Sequence, residues 1–361
     1  MKNLKTILFW ISIFILLSEQ NVFSQSSKIR NLKDTVGFAS KSFQMDSIMQ
    51  RIDRKYKNKY AALRAEKHIS NQAKCRLAIC PHDDYTYAGS MYPLALENIK
   101  AKIVIIFGVA HKITVRDKII FENFTQWRSA YGNVKISSLR EDIIASLPKS
   151  VYMVSDSLQA REHSVEALIP FLQYYNRNVQ IIPILVTNMS ADTMQAIAEI
   201  LASSIQKITS GKKLKWGEDF AFVISNDAVH YGDEDWGGKN FATFGSDSSG
   251  FKKAVDFEYN LIHNYLVPKT DTTKIKSFIP MLINKNFEYK WPWCGRNSVP
   301  FGLFTALSFQ RISHAPELDG ILMGYSTSIS REPIRVNDIF MGVTAPANIH
   351  HWVGYAAIVY K

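Results

Sequence analysis

Ile103-Val104-Ile105-Ile106-Phe107-Gly108-Val109-Ala110-His111 is the stretch whose reading decides the architecture. Its continuous apolar run, bounded by a glycine, reads as a strand buried on both faces, the habit of parallel sheets. The pattern recurs twice. Leu77-Ala78-Ile79-Cys80 leads to His82, and Phe220-Ala221-Phe222-Val223-Ile224 leads to His230. Ligands of open α/β sheets bind beyond the carboxyl ends of the strands. Three imidazoles delivered to that one edge could converge on a metal.

Working outward, apolar strands and amphipathic helices alternate with no clear linker, so one α/β domain is the simplest account. The predicted architecture is a central, largely parallel or mixed sheet flanked by helices over residues 43–361. Met45, Ile48, Met49, Ile52, Tyr56, Tyr60 and Leu63 recur at helical spacing. Further helices are expected over Met91–Ile99, Ser164–Tyr175 with Ser164 as its N-cap, Ala191–Ile208, Phe251–Leu266, Ile275–Lys285 and Val299–Ile312. Ile119–Ser137 reads as a hairpin or meander at the sheet edge. Gly320–Ser326 and Trp352–Tyr360 close the chain as strands.

The N-terminus stands apart. Lys2 and Lys5 precede an almost wholly apolar run from Thr6 to Leu17, and Val22-Phe23-Ser24 offers a small residue at a cleavage position. This three-part pattern reads as a secretory signal peptide over residues 1–24, too short in its apolar core to favour a spanning helix. A polar, loosely ordered segment is expected over 25–42. The mature chain is then expected to be exported, periplasmic or extracellular, with no stable membrane anchor.

The formal charge of +11 favours anionic surfaces or substrates. Scattered lysines give no nucleic-acid signature. Cys75 and Cys80 bracket a strand that would hold them about 16 Å apart, beyond bridging range. No disulfide framework is expected, and Cys294 is left for other chemistry.

Pro81-His82-Asp83-Asp84-Tyr85-Thr86-Tyr87-Ala88-Gly89 is the densest polar cluster. Its carboxylates could ligate a metal, orient the imidazole or simply stabilise a turn. Arg161-Glu162-His163-Ser164 places His163 at a helix N-terminus, where the dipole favours a neutral base. In Asn226-Asp227-Ala228-Val229-His230, Asp227 could orient His230 or serve as a base. Cys294 stands between Trp293 and Gly295-Arg296, a soft ligand beside a guanidinium that could bind an anion or stabilise the thiolate. Tyr85, Trp291 and Trp293 could form an aromatic wall. His350-His351 is expected to be structural.

These segments, in this order, resemble the Memo family, also called AmmeMemoRadiSam system protein B, which is related to class III extradiol dioxygenases. The resemblance runs from about Cys75 to the C-terminus and rests on five blocks: Pro81–Gly89, Gly108–His111, Glu162-His163-Ser164 followed by Leu168-Ile169-Pro170-Phe171, Ser225–Gly232, and Cys294-Gly295-Arg296. It implies that His82, His111 and Cys294 occupy metal-site positions. It also implies that His163, Asp227 and His230 are the polar cleft residues, with iron or copper as the ion and zinc the alternative. Departures are Asp83-Asp84, where the family usually has a small pair, and Asn297, where a histidine is common. The related dioxygenases use a carboxylate where this chain presents Cys294.

Two readings stay open. The first is a metal-dependent enzyme, oxidative or hydrolytic, acting on a small anionic or aromatic molecule. In it His163, Asp227 and His230 would move protons, and Asp83, Asp84, Tyr85, Trp293 and Arg296 would bind substrate. The second is an exported metal-binding or protein-interaction module without turnover. The oligomeric state is not readable from the sequence.

Overall fold

Across the sheet the strand order is β1 (Ile29–Arg30), β5 (Gln126–Trp127), β6 (Val134–Ile136), β8 (Gln180–Val186), β3 (Ile103–Val109), β9 (Phe220–Ser225), β2 (Leu77–Cys80), β12 (His351–Tyr360) and β10 (His230–Gly232). This computed structural model describes residues 28–361, so the expected signal peptide lies outside the described residues. The run β6-β8-β3-β9-β2 is parallel throughout. Antiparallel pairing joins β12 to β2, to β10 and to β11 (Gly320–Thr327). At the other flank β4 (Ile119–Phe121) runs antiparallel to β8 and parallel to β7 (Tyr152–Val154), while β5 and β6 form the expected antiparallel pair. The chain is thus an α/β protein with a mixed sheet.

Alternate side chains of the central strands point to opposite faces, and both faces are covered. Leu77, Ile79, Ile105, Phe107, Phe222 and Ile224 join one core. It is closed by α3 (Ala191–Gly211), α4 (Ser248–Tyr265), α5 (Thr272–Leu282) and α6 (Ser298–Ser313). Ala78, Cys80, Val104, Ile106, Ala221 and Val223 join the other, under α1 (Ser42–Glu66) and α2 (Ile169–Tyr175). Burial on both faces is why these strands read as continuous apolar runs rather than as alternating ones. Among the described residues no helix is long and apolar enough to cross a membrane.

Two local expectations change. The crossover helix expected over Met91–Ile99 is shortened to Tyr92–Leu96, preceded by a separate helical turn at Tyr85–Ala88. Ser164 does not cap a helix: its hydroxyl donates to Val109 O at 3.0 Å, and the chain passes through a single 3₁₀ turn, Glu166–Leu168, before α2 begins.

Of the segment expected to be loose, the described residues 28–41 are built into the domain. Ile29 and Arg30 pair in parallel with Gln126 and Trp127. The buried Arg30 guanidinium lies 4.1 Å from the Trp127 ring and donates to the buried Glu166 carboxylate, to Glu162 O and to Gln159 O. Glu166 also accepts the backbone N–H groups of Lys33 and Asp34 at 2.9–3.0 Å. Composition alone made the segment polar; one arginine supplies the anchor.

Losing one partner of a buried ion pair leaves an uncompensated charge. Arg30→Met is therefore expected to lower stability by about 3 kcal/mol. The urea midpoint should fall at constant m-value, and an unchanged midpoint would refute the anchoring role.

Candidate metal centre

Strand β2 ends at Cys80, and Pro81 carries the chain to His82, whose ring is fully buried. Its Nδ1 lies 2.8 Å from Ser225 Oγ, at the end of the adjacent strand β9. Ser225 gives its hydroxyl proton to Ser164 O at 2.6 Å. A hydroxyl has one proton, so Ser225 must accept from His82, and the imidazole proton sits on Nδ1. The lone pair is left on Nε2, a buried atom with no hydrogen-bond partner.

Asp227 faces that lone pair, with Oδ2 3.3 Å from Nε2, while its Oδ1 accepts the His82 backbone N–H at 2.8 Å. Burial, then the neighbouring imidazoles, push His82 well below the usual histidine range. Burial, then the charge of Asp83, push the Asp227 carboxyl well above its usual range. Each group resists the charge that would let it pair with the other. A divalent ion beside Nε2 would accept the lone pair and favour the carboxylate at once, so the residues present fit a cation.

His111 follows β3 and is oriented by Glu162. The carboxylate accepts the ring Nδ1–H at 2.9 Å and the His111 backbone N–H at 2.8 Å, and it also accepts the N–H groups of His163 and Ser164. Burial alone would raise Glu162, but the hydrogen bond from His111 and the imidazoles beside it hold the carboxyl down at about 2. An ionised acceptor on Nδ1 leaves the Nε2 lone pair of His111 for the site, where it lies 3.4 Å from Cys294 Sγ. Carboxylates of this kind fix tautomer and ring angle in histidine metal sites. His163 stacks on His111 with centroids 5.1 Å apart, and burial lowers it to about 4.

The fourth side comes from the 291–296 loop. Cys294 N–H donates to Asp227 O, Gly295 N–H to Asn226 Oδ1, and His230 N–H to Pro292 O. A Cβ at Gly295 would stand 2.1 Å from Asn226 Oδ1, so only glycine permits this approach. Cys294 Sγ then lies 3.1 Å from His230 Nε2. Burial lowers the His230 imidazole to about 3 and raises the Cys294 thiol well above its usual value. Beneath the loop the buried Glu258 of α4 accepts Trp293 Nε1–H at 2.7 Å, Tyr325 O–H at 3.1 Å and Val229 N–H at 3.3 Å, and Trp291 Nε1–H at 2.5 Å.

Nitrogens of His82, His111 and His163 lie within 4.8 Å of one another, as do ligand atoms of His82, Asp227 and Cys294. The three strand-end histidines, His163, Asp227 and Cys294 are therefore brought together. Other candidates are not placed as expected. Trp291 and Trp293 are buried with their indoles turned to Glu258, and Tyr85 is buried against Phe38, Tyr92 and Phe171. None forms a wall of the site, because each is consumed by the core. Asp84 is buried and accepts Thr344 N–H at 2.7 Å. Arg296 stacks on Tyr289, with the guanidinium carbon 4.4 Å from the ring, and donates to its hydroxyl. Asn297 donates to Asn188 Oδ1 at 2.6 Å. Asp83 keeps a cleft position, taking Tyr355 O–H at 2.6 Å. Sequence reasoning did not assign Ser225, Glu162 or Glu258; the first two stand inside or beside quoted motifs, whereas Glu258 has no local signal.

An α/β sheet that gathers imidazoles, a carboxylate and a thiol at one strand edge offers residue groups that could hold a divalent ion. The Memo-like protein family model matches residues 44–327, and the chain belongs to that family. It is 28% identical to a MEMO1 family protein of Thermotoga maritima over 58% of this chain and 71% of that one. To one of Sulfolobus acidocaldarius it is 31% identical over 44% and 55%, and to one of Methanosarcina barkeri 28% over 43% and 54%. The chain spans about half the length of the latter two relatives.

Burial raises the Glu258 carboxyl to about 7 from an ordinary 4.5, so the folded chain holds this proton more tightly than the unfolded one. The resulting stability is present below about pH 4.5 and is lost as pH rises through about 7. Relative to Glu258→Gln, the native chain should lose about 3 kcal/mol between pH 4.5 and 8. Urea midpoints of both proteins across that range measure this; a constant difference would refute it.

Proposed function

We propose that this protein is a metal-dependent enzyme acting on a small molecule, with His82, His111 and Cys294 holding the ion and Asp227 beside it. The observation that carries the reading is the buried, partnerless Nε2 of His82, its lone pair fixed in direction by the proton Ser225 cannot keep. Two imidazoles and a thiolate form a donor set suited to iron, copper or zinc, and iron or copper is the version proposed here. When bound, such an ion supplies Lewis-acid or redox chemistry.

The chain's own residues would do the rest. His163, about one-third exposed and neutral at physiological pH, would take a proton from a molecule entering beside His111. His230, also neutral, would receive or return one at Nε2 beside Cys294 Sγ. Asp227 would hold the His82 loop through its bond to the backbone while sharing the ion's charge. The apolar stretch Thr6–Leu17 supports action outside the cytoplasm after cleavage of a signal peptide.

Metal analysis of the purified chain should find iron or copper near one equivalent, lost in the His82→Ala/His111→Ala double variant. Retention of metal in that variant would sink the assignment, and stoichiometric zinc would move it to hydrolysis. Glu162→Gln should weaken metal affinity about 10–100-fold with the fold intact, as expected for a carboxylate that sets a ligand's tautomer. A competitive chelator titration reads this, and an unchanged affinity would deny Glu162 that role.

A further inference from the structure

Beside His230 a cavity of about 170 Å³ opens between β12, the Trp236 loop and the segment Thr344–Ala347. An engineered apolar cavity of about 150 Å³ holds benzene, so this one has room for a single ring or a compact branched group. One part of its wall is aromatic. Trp236 stacks on His351 at 3.9 Å and meets the His230 ring edge-on at 5.1 Å, while Tyr87 and Tyr355 line it as well. Tyr87 O–H donates to Ala345 O at 3.0 Å and Thr344 N–H to Asp84, which fixes the far wall in place.

The charge of this cavity is opposite to that of the molecule. The chain carries 43 lysines and arginines, yet among the described residues none lines it. Its one carboxylate is Asp83, held by Tyr355 O–H at 2.6 Å and Asp84 N–H at 2.7 Å, which spend one lone pair on each oxygen and leave the others. The backbone N–H groups of Asp233 and Glu234 donate to His350 O at 3.1–3.2 Å, and the Asp233 carboxylate faces His350 Nδ1 at 2.8 Å, outside the cavity lining. Arg296, the guanidinium felt by His230, is stacked on Tyr289 and does not line the cavity. Aromatic side chains and a carboxylate lining one cavity that no lysine or arginine enters match an ammonium group, which gains from both the ring quadrupoles and the counter-charge.

We propose that this cavity binds a small organic ammonium ion, with Asp83 as counter-ion and Trp236, Tyr87 and Tyr355 as its aromatic cage. As substrate recognition, the assignment rests on the metal-dependent reading above and makes the substrate an amine whose reacting part projects past His230. It replaces the anionic small molecule expected from net charge, because the local charge of the cavity, and not the sum over the surface, meets the ligand.

Calorimetric titration of the full chain, with metal content measured on the same sample, tests it. Benzylamine and tetramethylammonium are compared with benzyl alcohol and benzoate. Benzylamine should bind at least tenfold more tightly than benzyl alcohol, and benzoate should not compete. Asp83→Asn should abolish that preference with metal content and melting temperature retained. Trp236→Leu, on an exposed loop, should weaken both cations about tenfold and serves if the Asp83 variant does not fold. Equal binding of alcohol and amine, a preference that survives Asp83→Asn, or no binding by any probe would overturn the proposal. Metal without ammonium selectivity defeats this inference alone; ammonium selectivity in a chain that takes up no metal defeats the metal reading alone.

Discussion

Ser225 has a single hydroxyl proton, and the carbonyl of Ser164 takes it. From that constraint the direction of the His82 lone pair follows, since the only remaining role for the Ser225 oxygen is to accept from Nδ1. Three chain segments meet in this contact: the end of β9, the turn before α2 and the loop after β2. Parallel pairing of β2 and β3 with the intervening β9 brings their carboxyl ends level, and Ser225 converts that alignment into a defined tautomer. The carboxylate of Glu162 does the same for His111 by its own charge. Two imidazoles thus present bare nitrogens to one place through unrelated devices, and a neutral hydroxyl achieves what an ionised acid does next door.

Much of this was legible in the residues. Strands covered on both faces must be apolar throughout, so Ile103–Phe107 and its companions announced themselves. His82 and His111, just past two strand ends, announced the edge, whereas His230 opens β10 five residues beyond β9. The separation of Cys75 from Cys80 excluded a bridge, and all three cysteines are indeed free thiols. What could not be read was the fate of side chains whose partners are remote in sequence. Tyr85, Trp291 and Trp293 have the composition of a ligand wall, but whether an indole N–H faces a ligand or a carboxylate depends on Glu258, more than thirty residues away. Arg30 looked like part of a polar leader because nothing near it in the chain reveals Glu166.

Charge distribution gives the same lesson on a larger scale. Summed over the sequence the molecule is strongly basic, and that sum governs encounters at a distance. Inside the cleft the acids respond differently: burial, then the charge of Asp83, raises the proton affinity of Asp84 and Asp227. A small molecule close to His230 would meet Asp83 and the rings beside it. The long-range and short-range electrostatics therefore select different things, and only the structure separates them.

The grip of Glu258 on two indoles has a mechanical consequence. Cys294 and His230 ride on segments fastened to α4, whereas His82 and His111 are fixed to the parallel strands themselves. The centre is thus a vice with one fixed jaw and one detachable jaw. Partial opening that frees α4 would withdraw sulfur and one imidazole together and leave the two strand-borne nitrogens standing, a half-site that would no longer enclose an ion.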